Sequence, residues 1–255
     1  MQNILELKNI GYSYHNLHGE TKALEDISFG VSEGEFIAIV GPSGCGKSTL
    51  LSIIAGLLTP EQGTILVNNP DGSSHYPKIG YMLQRDHLFD WRTVYRNVIL
   101  GLEIHRQLTP DRLQNVDRLL EEYGLDKFRD KRPSELSGGM KQRAALIRTL
   151  ALEPSLLLLD EPFSALDYQT RLMVSEDICR LIRAEGKTMI IITHDLAEAV
   201  SLADRIIVLS GRPARVKRQI PVKLTLKDDS PLAARNAPEF QHYFNMLWED
   251  LTNEA

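Results

Sequence analysis

The sequence predicts an α/β fold, with a doubly wound, largely parallel sheet at its centre, an antiparallel β subdomain beside it and an α-helical subdomain inserted into it. Three observations predict this. Short apolar runs, Phe36 to Val40, Leu156 to Leu159, Thr188 to Thr193 and Arg205 to Leu209, have strand length and alternate with stretches of helical periodicity. Residues Ile4 to Val31 read instead as extended segments joined by the polar loop His15 to Thr21, the pattern of an antiparallel flap. Between about Arg85 and Leu150 strand signals vanish and amphipathic helices take their place.

Each element has a local reason. The run Phe36 to Val40 ends in a glycine-rich turn, and Thr49 to Leu58 follows as a helix. Lys78 to Met82 reads as a strand leading into the helical insert. Within that insert, Leu113, Val116, Leu119, Leu120 and Tyr123 recur at helical spacing over Arg112 to Tyr123. Leu156 to Leu159 is apolar throughout, as a strand buried on both faces is, and Pro162 stops it after Asp160 and Glu161. Residues 1–220 thus form one unit with the insert at about 85–150. Residues 221–255 form a polar tail closing on a short packing helix, with Phe240, Tyr243, Phe244, Leu247, Trp248 and Leu251 on one stripe.

Composition narrows the function. Of 255 residues 43% are hydrophobic, enough to bury a core, and the net charge of -5 supplies no basic field for a nucleic-acid backbone. Cys45 and Cys179 are too few for a disulfide framework. The N-terminal segment lacks a basic start followed by an apolar core, and no apolar run approaches the ~20 residues of a membrane span, so a soluble chain is expected. A membrane role would come through a partner.

Gly41-Pro42-Ser43-Gly44-Cys45-Gly46-Lys47-Ser48 fits the spacing G-x-x-x-x-G-K-[ST], between a predicted strand and a predicted helix that opens at Thr49. Glycines let backbone N–H groups converge on phosphate oxygens, and the helix turns its positive end toward them. Lys47 adds a charge and Ser48 a hydroxyl suited to Mg²⁺. Cys45 reads as a space-filling loop residue, since nothing marks a resolving thiol for a redox switch. The second half of such a site is Asp160-Glu161, where Asp160 would support the Mg²⁺ shell and Glu161 would polarise the water that attacks the γ-phosphate.

Leu136-Ser137-Gly138-Gly139-Met140-Lys141-Gln142-Arg143 supplies a second helix N-terminus built for an anion. Ser137 can cap a helix buried along Met140, Ala144, Ile147 and Ala151, and the two glycines leave that end open. With this motif, residues 4 to 220 resemble the ATP-binding cassette (ABC) ATPases. The resemblance implies a P-loop NTPase core of the RecA-like kind that binds and hydrolyses ATP with Mg²⁺. It further implies a homodimer, or a heterodimer with another ABC ATPase, in which Ser137, Gly138 and Gly139 of one subunit close on the γ-phosphate held by the other.

Other residues take roles from the same resemblance. Gln84 falls at the family's Mg²⁺- and water-contacting glutamine. Ser164-Ala165-Leu166-Asp167 matches the loop that bridges the two sites, and His194 the histidine on the γ-phosphate. Tyr14 sits where an aromatic ring meets adenine, with Tyr12 as its rival in the same segment. Asp195 with Glu198 can cap the helix after His194.

Phe89-Asp90-Trp91-Arg92-Thr93-Val94 and Ser210-Gly211-Arg212-Pro213-Ala214-Arg215-Val216 are similar to segments of the nitrate, sulfonate and taurine importer subgroup, with Phe89 and Asp90 in place of that subgroup's Leu-Pro. This implies membrane permease subunits and, through them, a solute-binding protein as partners. The expected place is the cytoplasmic face of the membrane, and the expected solute a small anion or heterocyclic precursor. Trp91 reads either as a core aromatic or as part of a groove for a permease helix. An ABC-type ATPase of DNA repair or translation is the alternative, but no long heptad insert and no second phosphate loop are present.

Overall fold

A computed structural model describes residues 3–16, 19–67, 78–164, 166–226 and 231–252. Strands β1 (Asn3–Asn16), β2 (Gly19–Ser32) and β4 (Gln62–Val67) form a three-stranded antiparallel sheet in the order β2-β1-β4. The flap expected over Ile4 to Val31 is there, with longer strands than predicted. Backbone pairing runs to Asn16↔Gly19, so the polar segment His15 to Thr21 is mostly strand, and its residues 17 and 18 lie outside the described ones.

The main sheet has the order β5-β6-β7-β3-β8-β9, from strands β3 (Phe36–Val40), β5 (Ile79–Met82), β6 (Leu156–Asp160), β7 (Thr188–Ile192), β8 (Arg205–Leu209) and β9 (Val216–Pro221). All neighbours pair in parallel except β9, which returns antiparallel along β8. Every residue of β3, β6 and β7 is buried, which explains their unbroken apolar runs.

Because strand side chains alternate between faces, these strands feed two cores. Phe36, Ala38 and Val40 of β3, with Leu157, Leu159, Met189 and Ile191, pack into one core. Ile37 and Ile39, with Leu156, Leu158, Ile190 and Ile192, pack into the other. The second face is covered by helix α1 (Lys47–Ile54) and the antiparallel sheet. Helix α1 starts two residues before the predicted Thr49 and stops short of Leu58.

The first face meets the inserted helices α2 (Val94–Val98), α3 (Leu100–Ile104) and α4 (Pro110–Glu122) and then α5 (Gly138–Leu150). Val116, Leu119, Leu120 and Tyr123 of the predicted stripe are buried, and Leu113 packs beside them. Helices α6 (Tyr168–Ala184) and α7 (Leu196–Leu202) complete that layer. The tail carries two helices rather than one, α8 (Pro231–Arg235) and α9 (Phe240–Thr252). On α9 Leu247 is buried, while Trp248, assigned to the same packing stripe, is exposed. Among the described residues no helix is long and apolar enough to cross a membrane.

Candidate functional site

Parallel strands that enter one sheet in the same direction deliver their carboxyl ends to one edge, and the functional side chains gather there. Strand β3 delivers the loop 41–48, β5 delivers Gln84, β6 delivers Asp160 and Glu161, and β7 delivers His194. Beside the loop opens a cleft of about 690 Å³ lined by Tyr14, Ser43, Gly44, Gly46, Lys47, Ser48, Thr49, Gln84, Glu161, His194 and Arg212.

The loop needs glycine for a stated reason. Gly46, the residue capping α1, has φ +124, and a Cβ there would meet the Ala23 carbonyl and Leu24 Cδ2 at 3.0 Å. Lys47 is 8% exposed and donates from Nζ to the carbonyls of Gly41 and Pro42, both at 2.9 Å. Gly41, Pro42 and Cys45 therefore form the loop's frame rather than the cleft wall. Cys45 is buried, which raises its thiol pKa despite the nearby Lys47 and Arg212 charges, in keeping with a space-filling role.

Glu161 sits at φ +47, a left-handed conformation costly for a residue with a side chain and typical of functional positions. Its Oε2 accepts from Gln84 Nε2 at 2.9 Å and lies 3.4 Å from His194 Nδ1. Three residues separated by up to 110 positions thus meet on one carboxylate oxygen in the wall of the cleft that Tyr14 also lines. Asp160 lies behind them, 7% exposed, with its pKa raised chiefly by burial and further by the Glu161 charge, while the Ser48 hydroxyl and Lys47 pull it down.

Ser48, Asp160 and Gln84 offer hydroxyl, carboxylate and amide oxygens, the hard donors that Mg²⁺ takes. A carboxylate kept from water against Ser48 is one that a cation would relieve, so the residues fit the ion.

Tyr14 projects into the cleft, 45% exposed, with its hydroxyl 3.0 Å from Thr49 Oγ1, whereas Tyr12 packs against the second core and touches Tyr14 edge-on at 5.1 Å. Ser137 caps α5 as expected, accepting from Met140 N at 3.3 Å. It does not line the cleft, nor do Gly138 and Gly139. In the bridging loop Asp167 caps α6 by accepting from Thr170 N, and Ala165 lies outside the described residues.

The predicted pairing of Asp195 with Glu198 divides. Asp195 alone caps α7, accepting from Ala197 N and Glu198 N; Glu198 turns inward, and burial pushes its pKa up to about 7. Trp91 is 73% exposed, which removes the core reading, and its ring meets Phe89 at 4.7 Å. Arg212 was missed as a cleft residue. The sequence marks it only as part of the Ser210 to Val216 segment just past an apolar run, and nothing in the linear order says that β8 lies next to β3.

Room between a phosphate-type loop and a water-facing Glu161 is what hydrolysis of a nucleotide's terminal phosphate requires, and with the inserted helices it marks an ATPase of the ATP-binding cassette class. A family model described as ABC transporter matches residues 24–164. The uncharacterized ABC transporter ATP-binding protein YtlC of Bacillus subtilis is 43% identical over 98% of this chain and 96% of its own. The taurine import ATP-binding protein TauB of Roseobacter denitrificans is 37% identical over 96% and 94%. The nitrate import ATP-binding protein NrtD of Synechocystis is 39% identical over 94% and 91%.

A dimeric ATP-binding cassette, MJ0796, solved in a post-hydrolysis state with ADP and Pi, superposes with a TM-score of 0.73 at 30% identity, covering 86% of this chain and 99% of that one. The chain belongs to the ABC transporter ATP-binding proteins, and it is an ABC ATPase.

Proposed function

We propose that this chain is the ATP-hydrolysing subunit of a bacterial importer for a small solute, a nitrate-, sulfonate- or taurine-like anion or a heterocyclic precursor. One observation carries the import reading: the likeness to taurine and nitrate import ATP-binding proteins spans nearly the whole chain. The exposed pair Phe89 and Trp91 supports it, since the two rings, five and seven residues after Gln84, offer an apolar face where a permease helix can seat.

The residues act in order. Tyr14 stacks on adenine, and Lys47 exchanges the Gly41 and Pro42 carbonyls for phosphate oxygens, with backbone N–H groups of 43–49 around them. Ser48, Asp160 and Gln84 would hold Mg²⁺, which supplies charge neutralisation on the phosphates when bound. Glu161, held by Gln84 and flanked by His194, takes the proton of the attacking water. His194 donates toward the γ-phosphate.

Ser137 and Gly138 are exposed at the start of α5 and do not line the chain's own cleft, while Gly139 is buried behind them against α6; the exposed end of α5 therefore serves the nucleotide of a second subunit in a head-to-tail dimer. Moving such a dimer from 1:99 to 99:1 closed takes roughly 5.5 kcal/mol of preferential binding, which two shared ATP molecules supply. Hydrolysis removes the γ-phosphate contacts, the halves part, and the permease subunits change state. Residues 1–220 are the working unit, at the cytoplasmic face of the membrane, and the 221–255 tail packs on it.

The test is reconstitution with its permease subunits and solute-binding protein. ATP hydrolysis should rise with loaded binding protein, and solute should accumulate inside vesicles. Stimulation by DNA or ribosomes with no bound permease would overturn the import reading.

A further inference from the structure

Arg212 occupies a place in the cleft that the mechanism above does not use. It stands in the turn after β8, and that turn is fixed on both sides. Ser210 N donates to the Arg215 carbonyl at 3.0 Å, and Arg215 N donates to Ser210 Oγ at 2.9 Å. Ala214 exchanges two backbone bonds of 2.9 Å with β2, donating to the Ala23 carbonyl and accepting from Glu25 N.

From this mount Arg212 reaches the phosphate loop. Its Nε donates to the Gly44 carbonyl at 3.1 Å, and Nη2 donates to the same oxygen. A guanidinium carries five N–H donors. Among the described residues Arg212 makes no other hydrogen bond and pairs with no carboxylate, whereas its neighbour Arg215 is paired with Glu25 at 2.8 Å. A charged group with donors left over thus lines a cleft otherwise furnished for polyphosphate.

Sheet order says which end of the nucleotide it meets. Strand β8 flanks β3 on the side away from β7, β6 and β5, whose ends carry His194, Glu161 and Gln84. The terminal phosphate belongs to those three, so Arg212 approaches from the opposite flank.

We propose that Arg212 is a nucleotide-binding residue that brackets the phosphate loop, holding the Gly44 carbonyl with one edge of its guanidinium and donating with the other to a non-terminal phosphate of ATP or ADP. The assignment rests on the loop 41–48 being the nucleotide site. A contact made equally to substrate and transition state strengthens binding without speeding the chemical step, so its loss raises KM far more than it lowers kcat. A charge-assisted bond of this kind accounts for about a tenfold change in affinity.

Equilibrium binding of ATP, ADP and adenosine to the full-length protein, with steady-state ATPase kinetics, tests this on Arg212→Ala, Arg212→Lys and Lys47→Ala. The expected result is about tenfold weaker binding of both ATP and ADP by Arg212→Ala, unchanged adenosine binding, an unchanged melting temperature and partial recovery in Arg212→Lys. Unchanged ATP and ADP affinity in Arg212→Ala, with Lys47→Ala impaired, would overturn the Arg212 assignment alone. Unimpaired nucleotide binding by Lys47→Ala would remove the loop reading beneath it. Equal loss of adenosine binding, or a fall in kcat with KM unchanged, would also overturn the proposal.

Discussion

Glu161 joins an unfavourable backbone angle to the one carboxylate that Gln84 and His194 both approach, and its replacement isolates its chemistry from its fold. Glu161→Gln keeps the shape and the amide contact but removes the carboxylate proposed as the base. It is expected to bind ATP normally, to lose at least about a hundredfold in turnover, and to accumulate an ATP-bound dimer. Phosphate release and size-exclusion chromatography with ATP check this, and normal turnover would rule out Glu161 as the base. Tyr14→Ala should weaken ATP binding about two- to tenfold through the lost ring stack, read by fluorescence titration. Tyr12, turned into the second core, should instead affect stability when truncated.

At the scale of elements, helices α5 and α7 show how a cap and a buried acid differ. Ser137→Ala removes the bond from Met140 N, and loss of an N-cap costs about 1 kcal/mol, visible in urea unfolding. A much larger drop in ATP-driven dimerisation than in stability would mark Ser137 as a ligand of the partner's nucleotide. On α7, Glu198 is held by Thr193 and faces Asp195, Arg171 and Arg235, and its pKa rises from 4.5 to about 7 chiefly through burial.

The sign follows from proton binding. Between those values the folded state binds the proton and the unfolded state does not, so this contribution to stability is fully present below 4.5 and is lost as pH rises through 7. Glu198→Gln should flatten that decline and exceed the native protein in stability at pH 8 by roughly 1–3 kcal/mol. Thermal melts from pH 4.5 to 8 would contradict it if both proteins fell in parallel.

For the whole molecule, the exposed Phe89 and Trp91 rings stand at the start of the helical insert, a few residues from Gln84, and Gln84 holds Glu161. On the proposed reading a permease subunit seats on those rings. Trp91→Ala should leave nucleotide binding by the isolated chain unchanged and weaken its assembly with permease subunits at least several-fold, measured by co-purification from membranes. Intact assembly would assign the exposed ring to some other contact.

How much was legible in advance depended on whether a feature is local. The phosphate loop, the acidic strand end and the capped Ser137 turn could be read directly, because backbone conformation and capping are decided within a few residues. The buried strands were legible for a related reason, since a strand covered on both faces is apolar at every position. The longer β1 and β2 pairing, the exposed Trp91 and Trp248 and the buried Glu198 were not, because burial depends on what the rest of the chain brings alongside. Arg212 belongs with these. Its chemistry was always in the sequence, but only the neighbouring order of β8 and β3 set its guanidinium against Gly44.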